Sequence, residues 1–396
     1  MTNIAILGFG VVGGGVADLI TKNYSEVTKL GGDEINIKYI LDLRDFPDSP
    51  FADRVVHDFN IILEDESVST VIEVMGGSHP AYEFTVAALG KGKNVITSNK
   101  EVVANFGDEF LALAKKNGVA YRFEAAVGGG IPVISPMISC IGQNKITEVR
   151  GILNGTTNYI LTKMFSFGDS FESALKDAQA RGYAERNPDA DILGIDASRK
   201  IAILAALATG MLVPTDKIHT EGITAIRAED VAAAEKLGCK IKLLGRCICG
   251  SDKPYIMVLP VMLGGDSALS GVSGVYNAVE VVGEPLGNVM FYGKGAGAGA
   301  TASAVVGDLM QVMRLGNAGA PVFTKSCDVA DFDSFESKHY LAFDRQDAEK
   351  VKASFADASE IDSEEYALVT APLTEKEVNE KLKAAAVTPL SHIRML

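Results

Sequence analysis

Acidic side chains and one lysine lie close together in residues 182–200, GYAERNPDADILGIDASRK. Four carboxylates, Glu185, Asp189, Asp191 and Asp196, lie within twelve residues, and Lys200 follows them; Asp189 is expected to be a loop or helix-cap carboxylate. Asp196 and Lys200 are four residues apart, so they lie side by side if the segment is helical. An exposed pair of this kind contributes only roughly 0.3–0.5 kcal/mol to stability. A role in chemistry requires that the pair be withdrawn from solvent.

The apolar helix that follows predicts that Asp196 and Lys200 are buried. The stretch IAILAALA after Lys200 is apolar on every face. The face that carries Asp196 and Lys200 continues with three aliphatic residues, Ile203, Leu204 and Leu207. A lysine at the start of a buried helix faces the interior or a cleft. Burial lowers the pKa of a lysine and nearby carboxylates raise it, so the direction of the net shift stays open.

These residue types in one cleft fit a substrate with a cationic group and an exchangeable proton, such as an amino-acid-like alcohol. Gly182 and Tyr183 allow a close approach just before Glu185. Nucleophilic hydrolysis is not supported, because the histidines are scattered and none lies near a serine or cysteine on a nucleophile turn. The chemistry indicated is alcohol–carbonyl interconversion with a redox cofactor.

A glycine turn near the start of the chain predicts that cofactor. NIAILGFGVVGGGVADLI is typical of a strand, a turn of the form Gly-x-Gly-x-x-Gly and a helix, which together bind the pyrophosphate of a dinucleotide. The next strand ends at Asp42, which suits the ribose hydroxyls of NAD, and Arg44 suits the 2′-phosphate of NADP. NAD and NADP therefore both stay open. The turn residues predicted to contact the cofactor are Gly8, Phe9, Gly10, Val11, Val12 and Gly13.

Two further strand ends are predicted to face the cofactor. Ligands bind beyond the carboxyl ends of parallel strands, where the sequence has Met75-Gly76-Gly77 and Thr97-Ser98-Asn99-Lys100. Lys100 is thereby predicted to lie near the nicotinamide. The alternative is that Ser98 or Asn99 caps the following helix and that Lys100 is solvated.

The order of these elements predicts the fold class, which is α/β. Strands alternate with helices over 1–139, as in a Rossmann-type doubly wound parallel sheet. We expect a second α/β domain with a mixed sheet over 140–294, and a strand, glycine loop and helix that return to the first domain at 295–320. The segment 338–396 is typical of strand–helix–strand–helix–strand. FEAAVGGGIPVI, 123–134, is interpreted as a strand that runs into three glycines.

The composition excludes several classes of protein. The chain has 396 residues and a net charge of −14, which argues against a nucleic-acid-binding surface. No basic leader precedes the first strand, and no apolar run reaches the ~18 residues of a membrane span. Its five cysteines, Cys140, Cys239, Cys247, Cys249 and Cys327, lack metal-ligand spacing and are expected to be thiols. We expect a cytoplasmic protein that acts on a small molecule.

Seven motifs, in this order, resemble those of the homoserine dehydrogenase family over about residues 1–320. They are GFGVVG, TSNK, EAAVGGGIPVI, GILNGTTNYILTKM, GYAERNPDADILGIDASRK, SGVYNAV and GKGAGAGATASAVVGDL. The resemblance implies oxidation of L-homoserine to L-aspartate 4-semialdehyde with NAD or NADP. In threonine, methionine and isoleucine biosynthesis the reaction runs mainly in reverse. It also implies a homodimer.

The resemblance also implies roles for individual residues. Lys200 is the proton donor and acceptor, and Lys100 is a second catalytic lysine beside the substrate and the nicotinamide. The substrate-binding residues implied are Glu185, Asp191, Asp196, Gly155, Thr156 and Tyr183. The cofactor-binding residues implied are the glycine turn, Arg44, Met75, Gly76, Gly77, Thr97, Ser98, Lys100, Gly182, Gly295 and Gly297. A sodium ion is implied at Glu124, Val127, Gly129 and Ile131, largely through backbone carbonyls.

The end of the chain departs from the longer members of the family. Those members end in a complete ACT regulatory domain that senses an amino acid such as threonine. Here YALVTAPLTEKEVNEKLKAA resembles only the later part of that unit, which implies a reduced ACT-like domain that serves assembly and leaves feedback inhibition open. The competing functions are a Rossmann oxidoreductase for a sugar or polyol, and a dinucleotide-binding sensor without catalytic activity.

Overall fold

The structure is a computed structural model that describes residues 1–250, 253–324 and 328–396. The chain divides into two compact units. The first comprises Met1–Thr147, Ala202–Thr215 and Val281–Cys327, and the second comprises Glu148–Ile201, Asp216–Glu280 and Asp328–Leu396. Cys327 lies outside the described residues, and the other four cysteines are free thiols. No helix in the described part of the chain is long and apolar enough to cross a membrane.

The first unit contains a six-stranded sheet in which every pair is parallel. Its strands are β1 (Thr2–Leu7), β2 (Ile35–Leu41), β3 (Val55–Val56), β4 (Val68–Glu73), β5 (Asn94–Thr97) and β6 (Tyr121–Arg122). They lie in the order β3-β2-β1-β4-β5-β6. This is the doubly wound order of dinucleotide-binding sheets, so the predicted Rossmann-type fold is confirmed.

Helices cover this sheet. They are α1 (Val11–Lys22), α2 (Tyr24–Gly31), α3 (Phe59–Leu63), α4 (Ala81–Gly90), α5 (Lys100–Asn117), α6 (Ala125–Gly128) and α7 (Ile134–Ser139). After β12 (Gly287–Lys294), helix α13 (Ala298–Leu315) packs along α1. The core is apolar because β1, α1 and α13 supply aliphatic side chains such as Ile6, Val16 and Leu309.

The predicted strand over the start of FEAAVGGGIPVI is wrong. Strand β6 ends at Arg122, and 125–128 form the single turn of α6. Phe123, Ala125 and Val127 are buried, so the apolar sequence reflects burial and not an extended backbone. A short apolar run does not distinguish a buried strand from a buried helical turn.

A second sheet has eleven strands, nine of them in the order β12-β11-β7-β9-β10-β17-β13-β15-β14, while β16 pairs with β13 and β8 pairs with β10. Its other strands are β7 (Lys145–Ile152), β8 (His219–Thr220), β9 (Cys239–Ile248), β10 (Tyr255–Gly264), β11 (Tyr276–Glu284), β13 (Glu336–Phe343), β14 (Ser359–Ile361), β15 (Tyr366–Val369), β16 (Leu373–Thr374) and β17 (Ser391–Met395). Parallel and antiparallel pairs both occur, which confirms the predicted mixed sheet. The remaining helices are α8 (Gly155–Phe167), α9 (Phe171–Ala180), α10 (Asp189–Ile192), α11 (Ile195–Thr209), α12 (Ala228–Lys236), α14 (Ala348–Ser354) and α15 (Glu375–Ala385).

The C-terminal segment has two strands more than the three that the sequence predicted. Its order is β13, α14, β14, β15, α15 and β17, with the short β16 before α15. Strands β17, β13, β15 and β14 are antiparallel neighbours in that order, which is the arrangement of a complete ferredoxin-like βαββαβ unit. The prediction combined β14 and β15 because polar residues separate two very short strands. β17 also pairs in parallel with β10, so the unit continues the larger sheet.

Candidate active site

The glycine turn of the first unit is shaped for an anion. Gly8 has φ +92°, and a Cβ at Gly13 would lie 1.9 Å from the carbonyl oxygen of Gly8, so only glycine fits either position. Helix α1 starts at Val11, and its N-cap residue Gly10 has no side chain to cap it. The first backbone N–H groups of α1 therefore face outwards without a capping side chain, as phosphate binding requires.

Asp42 stabilises this turn and forms an ion pair with Arg44. Its carboxylate accepts a hydrogen bond from the backbone N–H of Phe9 at 2.8 Å and from Arg44 Nε at 3.0 Å. The Arg44 guanidinium, together with these backbone donors, lowers the pKa of Asp42 to about 2. Arg44 is exposed, so its guanidinium can turn towards a ligand, whereas Asp42 is held in place.

A cavity of about 600 Å³ lies over the turn, within the size range of small-molecule sites. Its walls include Gly8, Gly10, Val11, Val12, Arg44 and Met75 of the predicted cofactor residues, together with Leu41, Asp42, Leu43, His57, Phe59, Val74, Pro80 and Phe84. Phe9 and Gly13 do not line it; they form the turn beneath. The apolar lining and the single cation suit a flat aromatic ligand that bears a phosphate.

The ends of β4 and β5 are joined by a buried carboxylate that sequence analysis missed. Glu73 accepts hydrogen bonds from the Thr97 hydroxyl at 2.6 Å and from the backbone N–H of Met75 at 2.9 Å. Burial raises the pKa of Glu73. The side chain of Thr97 is thereby engaged away from any ligand, and the Met75 loop is fixed in place. The only available signal was an acidic residue at the end of an apolar strand.

The loop that contains Lys100 has the helix cap of one alternative, but its lysine is not fully exposed. Asn99 caps α5 through its side chain, which accepts from the backbone N–H of Glu101, and its amide donates to the carbonyl of Gly77 at 2.7 Å. Lys100 is the first residue of α5 and is half-buried, so it is not the fully solvated lysine of the alternative. Ser98 donates its backbone N–H to the carbonyl of Glu73. Gly76 and Gly77 both have positive φ.

Glu124 uses both carboxylate oxygens within the protein. They accept backbone N–H groups from Val133, Ile134 and Ser135 at 2.7–2.8 Å. The backbone N–H of Glu124 donates to Asp308, whose pKa is raised to about 8 by burial and by the neighbouring Glu124.

The predicted cation loop lies against the returning glycine loop. Gly130 donates its backbone N–H to the carbonyl of Lys294 at 3.2 Å. A Cβ at Gly129 would lie 2.4 Å from the carbonyl oxygen of Gly295. Val127 and Ile131 are buried, and Gly297 is the N-cap of α13. The predicted sodium ligands and the returning loop therefore form one substructure within the first unit.

The second unit brings Asp191, Asp196 and Lys200 together, and confirms that Lys200 is buried, at 8% exposure. Lys200 Nζ lies 2.8 Å from Asp196 Oδ2 and donates to the carbonyl of Leu153 at 2.8 Å. The side-chain amide of Asn154 donates to Asp191 Oδ1 at 2.7 Å and to Asp196 Oδ2 at 2.9 Å. Three charged side chains are thus fixed by the short turn between β7 and α8.

Asn154 is a residue that sequence reasoning missed. Its side-chain oxygen accepts the backbone N–H of Thr157 and caps α8, while its nitrogen binds the two aspartates. An asparagine between a strand and a helix is a signal for a cap. Nothing in the local sequence indicates that the other end of the same amide binds carboxylates some forty residues further along the chain.

The other predicted substrate residues differ in how far they are exposed and in whether they contact one another. Thr156 donates its hydroxyl to the carbonyl of Tyr183 at 2.6 Å, and the Tyr183 ring packs edge-on against Tyr159. Gly182 has φ +72° and is exposed. The Glu185 side chain is exposed and is not part of the buried cluster.

Two family models match the chain. A model described as "Homoserine dehydrogenase, NAD binding domain" matches residues 8–124, and one described as "Homoserine dehydrogenase" matches residues 132–310. Curated homoserine dehydrogenases from Synechocystis and from Bacillus subtilis are 42% and 40% identical to the chain. Each alignment covers 78% of this chain, with 73% of the Synechocystis protein and 72% of the Bacillus protein.

Solved structures agree with the family models. A homoserine dehydrogenase from Thiobacillus denitrificans matches with a TM-score of 0.92 and 33% identity, over 100% of this chain and 98% of that chain. A hyperthermophilic archaeal homoserine dehydrogenase mutant in complex with NADPH matches with a TM-score of 0.69 and 29% identity, over 80% of this chain and 99% of that chain. The chain belongs to the homoserine dehydrogenase family, the NAD(P)-dependent oxidoreductases that interconvert L-homoserine and L-aspartate 4-semialdehyde.

Proposed function

We propose that Lys200 is the acid and base of this reaction. The observation that carries the proposal is the fixed position of its ammonium group, which is buried and held by Asp196 and by the carbonyl of Leu153 at 2.8 Å each. A proton donor that is already oriented loses little entropy when the substrate arrives. The burial of Lys200 and its two fixed partners support this role.

Bound NAD(P)H would supply the hydride that reduces the aldehyde carbon of the substrate, and would be left as NAD(P)+. Lys200 donates a proton to the aldehyde oxygen as that oxygen becomes an alkoxide, which leaves homoserine and a neutral lysine. Solvent returns the proton to Lys200. In the oxidation direction the neutral lysine removes the hydroxyl proton. Asp196 orients the ammonium and stabilises its charged form, and Asp191 acts through the amide that it shares with Asp196.

The charges around Lys200 suit an amino-acid substrate. Asp191, Asp196 and Lys200 sum to −2 + 1 = −1, and the exposed Glu185 adds a further negative charge. We assign Glu185 to the substrate ammonium group. Gly155 and Thr156 open the thirteen-residue helix α8, and we assign their backbone N–H groups to the substrate carboxylate, since Asn154 already accepts the N–H of Thr157. Tyr183 closes this side of the substrate site.

The proposed cofactor site is the cavity over the glycine turn. The N-terminus of α1 would hold the pyrophosphate, and Asp42 and Arg44 would hold the adenosine ribose. Lys100, Ser98, Gly76 and Gly77 would contact the nicotinamide part, with Gly182, Gly295 and Gly297 as further contacts. In this proposal residues 1–139 and 295–320 bind the cofactor, and 140–294 bind the substrate.

A sodium ion fits the loop around Gly129 only through its backbone. Both Glu124 carboxylate oxygens already accept backbone N–H groups, so this side chain is a poor direct ligand. The backbone carbonyls of Glu124, Val127, Gly129 and Ile131 are the ligands that we propose, in agreement with the preference of hard cations for oxygen. The ion would stiffen the loop; replacing sodium by choline should lower the Tm and leave the fold intact.

We also propose that the protein is a cytoplasmic homodimer. A homodimer is supported by β12, an edge strand of the larger sheet that exposes Met290 and Tyr292. The segment 338–396 is proposed to be ACT-like, on the basis of its βαββαβ order, and to serve assembly. The free cysteines support a reducing, cytoplasmic location.

The experiment that tests the role of Lys200 follows the absorbance of NADH or NADPH with and without aspartate 4-semialdehyde. Lys200→Ala should lower kcat by roughly 10²–10⁴, as expected for a lost acid–base group, without changing the Kd of the cofactor. Lys240→Ala, which removes an equal charge from β9, is the control. Wild-type turnover in Lys200→Ala would contradict the proposed role.

A polyol substrate, or cofactor binding without any turnover, would instead support one of the competing functions.

A further inference from the structure

A second buried lysine lies in the same unit as Lys200. Lys242, on β9, is 2% exposed, and its ammonium group donates to Asn158 Oδ1 at 3.0 Å and to the carbonyl oxygen of Val272. Among the described residues, no carboxylate forms an ion pair with it. Burial lowers its pKa to about 8. Burying an ammonium group without a counter-ion lowers the stability of the fold, so the lysine at this position points to a role beyond packing.

The partners of Lys242 hold one irregular segment against α8. The side-chain amide of Asn158 donates to the carbonyl oxygens of Gly274 at 3.1 Å and Tyr276 at 3.0 Å. The hydroxyl of Thr162, one turn further along α8, accepts the backbone N–H of Gly274 at 3.0 Å. Lys242 and Asn158 together therefore bind residues 272–276 at three backbone carbonyls.

This segment in turn packs on the turn that orients Lys200. A Cβ at Gly155 would lie 2.7 Å from the carbonyl oxygen of Val275 and 3.3 Å from Asn277 Oδ1, so the segment touches the first residue of α8. The two residues before Gly155 are Leu153, whose carbonyl accepts from Lys200, and Asn154, whose amide binds the aspartates. Leu153 and Asn154 therefore lie between residues 275–277 on one side and the cluster of Asp191, Asp196 and Lys200 on the other.

We propose that Lys242 is a positioning residue for the dehydrogenase reaction. Together with Asn158 it presses residues 272–276 onto the first turn of α8, and thereby fixes Leu153 and Asn154 beneath Lys200. This inference rests on the proposed role of Lys200. An apolar residue at position 242 would fill the space without the cost of burying a charge, but it could not bind two acceptors on different segments at once.

The test compares Lys242→Met with Lys240→Met. Lys240 is two residues earlier on the same strand and is only partly buried, so the control removes an equal charge from the same region. In Lys242→Met the KM for aspartate 4-semialdehyde should rise about tenfold and kcat should fall about tenfold, because the turn shifts. The Kd of NADPH, measured by fluorescence, should stay within twofold. Lys240→Met should match the wild type in all three.

The KM for the semialdehyde separates positioning from a purely structural role. A variant that is only less stable has fewer active molecules at an assay temperature well below its Tm, which lowers apparent kcat and leaves KM unchanged. An unchanged KM in Lys242→Met would overturn the proposal. If Lys242→Met does not fold, Asn158→Asp serves instead, because it keeps a partner for Lys242 but removes the amide donors to Gly274 and Tyr276. It should show the same rise in KM, and an unchanged KM there would also overturn the proposal.

Two further measurements complete the design. The double variant of Lys242→Met and Asn158→Asp should show about the same defect as the more defective of the two single variants, because both residues act on the segment 272–276. Defects that multiply would contradict this shared action.

Lys200→Ala is assayed alongside. Normal turnover in Lys200→Ala means that the proposed reaction centre is wrong, whereas an inactive Lys200→Ala with a normal Lys242→Met means that only the positioning role is wrong.

Discussion

The glycine turn and the Lys200 cluster are built in opposite ways. The turn presents backbone N–H groups, and its specificity comes from residues that have no side chain, such as Gly8 and Gly13. The Lys200 cluster consists of charged side chains, and every one of them is held by another group of the same unit. The glycine turn depends on the absence of side chains at Gly8 and Gly13. The Lys200 cluster depends on the hydrogen bonds between its side chains and their partners.

This difference predicts different consequences of substitution. In the turn, one added methyl group is harmful where space is short and harmless one residue away. In the cluster, volume matters less than the identity of each donor and acceptor, because buried charges are costly once they lose a partner.

The largest expected effect is at Gly13. Gly13→Ala places a methyl group 1.9 Å from the carbonyl oxygen of Gly8, so the turn must open. We expect the Kd of NADPH to rise by about 100-fold, which corresponds to ~2.7 kcal/mol. Gly14→Ala is the matched control, since its Cβ has no neighbour within 4 Å, and should leave the Kd within twofold. Equal effects of the two variants would show that space does not decide binding here. Fluorescence titration gives both values.

Asn154 tests the other half of the comparison. Asn154→Asp keeps an acceptor for the backbone N–H of Thr157, and places a third carboxylate where an amide now donates to Asp191 and Asp196. Repulsion should lower kcat/KM for aspartate 4-semialdehyde by about 30-fold, with cofactor binding unchanged. Asn154→Ser keeps a cap and adds no charge, and should fall by only about fivefold. If the two variants are equal, charge is not what the amide controls.

Arg44 is the charged side chain of the site that otherwise relies on its backbone. Arg44→Ala should raise the KM for NADPH by about tenfold relative to the KM for NADH, provided that the guanidinium leaves Asp42 for the 2′-phosphate. The ratio of the two KM values is measured at constant ionic strength. An unchanged ratio would mean that Arg44 serves only to neutralise Asp42, and would favour NAD as the cofactor.

The smallest effect on turnover is expected at Asp308, which affects stability through pH. Burial raises the pKa of Asp308 in the folded state from its ordinary value of 3.8 to about 8, so the folded state binds the proton more tightly than the unfolded state. The contribution of Asp308 to stability is therefore complete below about pH 4 and is lost as the pH rises to about 8. Asp308→Asn should raise the Tm more at pH 8 than at pH 5. A Tm gain that does not depend on pH would show that Asp308 is already ionised at pH 5.

The sequence could predict the features that depend only on neighbouring residues. The glycine turn lies within one strand, one turn and one helix, so its residues and its role follow from a local pattern. The inward direction of Lys200 could also be predicted, since a helix that is apolar on every face must be buried. Both predictions use only neighbours within a few residues.

The rest depends on contacts between distant segments. Asn154 looks like an ordinary helix cap until 191 and 196 are brought beside it. Lys242 lies in β9, a strand that the sequence pattern did not predict because lysines interrupt it, and its partner Asn158 is 84 residues away. The helical turn at 125–128 was missed because four residues are too few to show a period. Local patterns predict elements, and only the assembled sheet shows which polar groups meet.

The pairing of β17 with β10 has a consequence for biosynthesis. Val261 and Met262 on β10 lie opposite Arg394 and Met395, so the middle of the sheet acquires one of its neighbours only after residues 391–395 have left the ribosome. Until then Val261 and Met262 lack this strand partner, which leaves a short apolar edge open to pairing with another nascent chain. Slower synthesis prolongs that interval, and abundant chaperones shield it. The yield of native protein should therefore fall when translation is slowed and recover when chaperones are abundant.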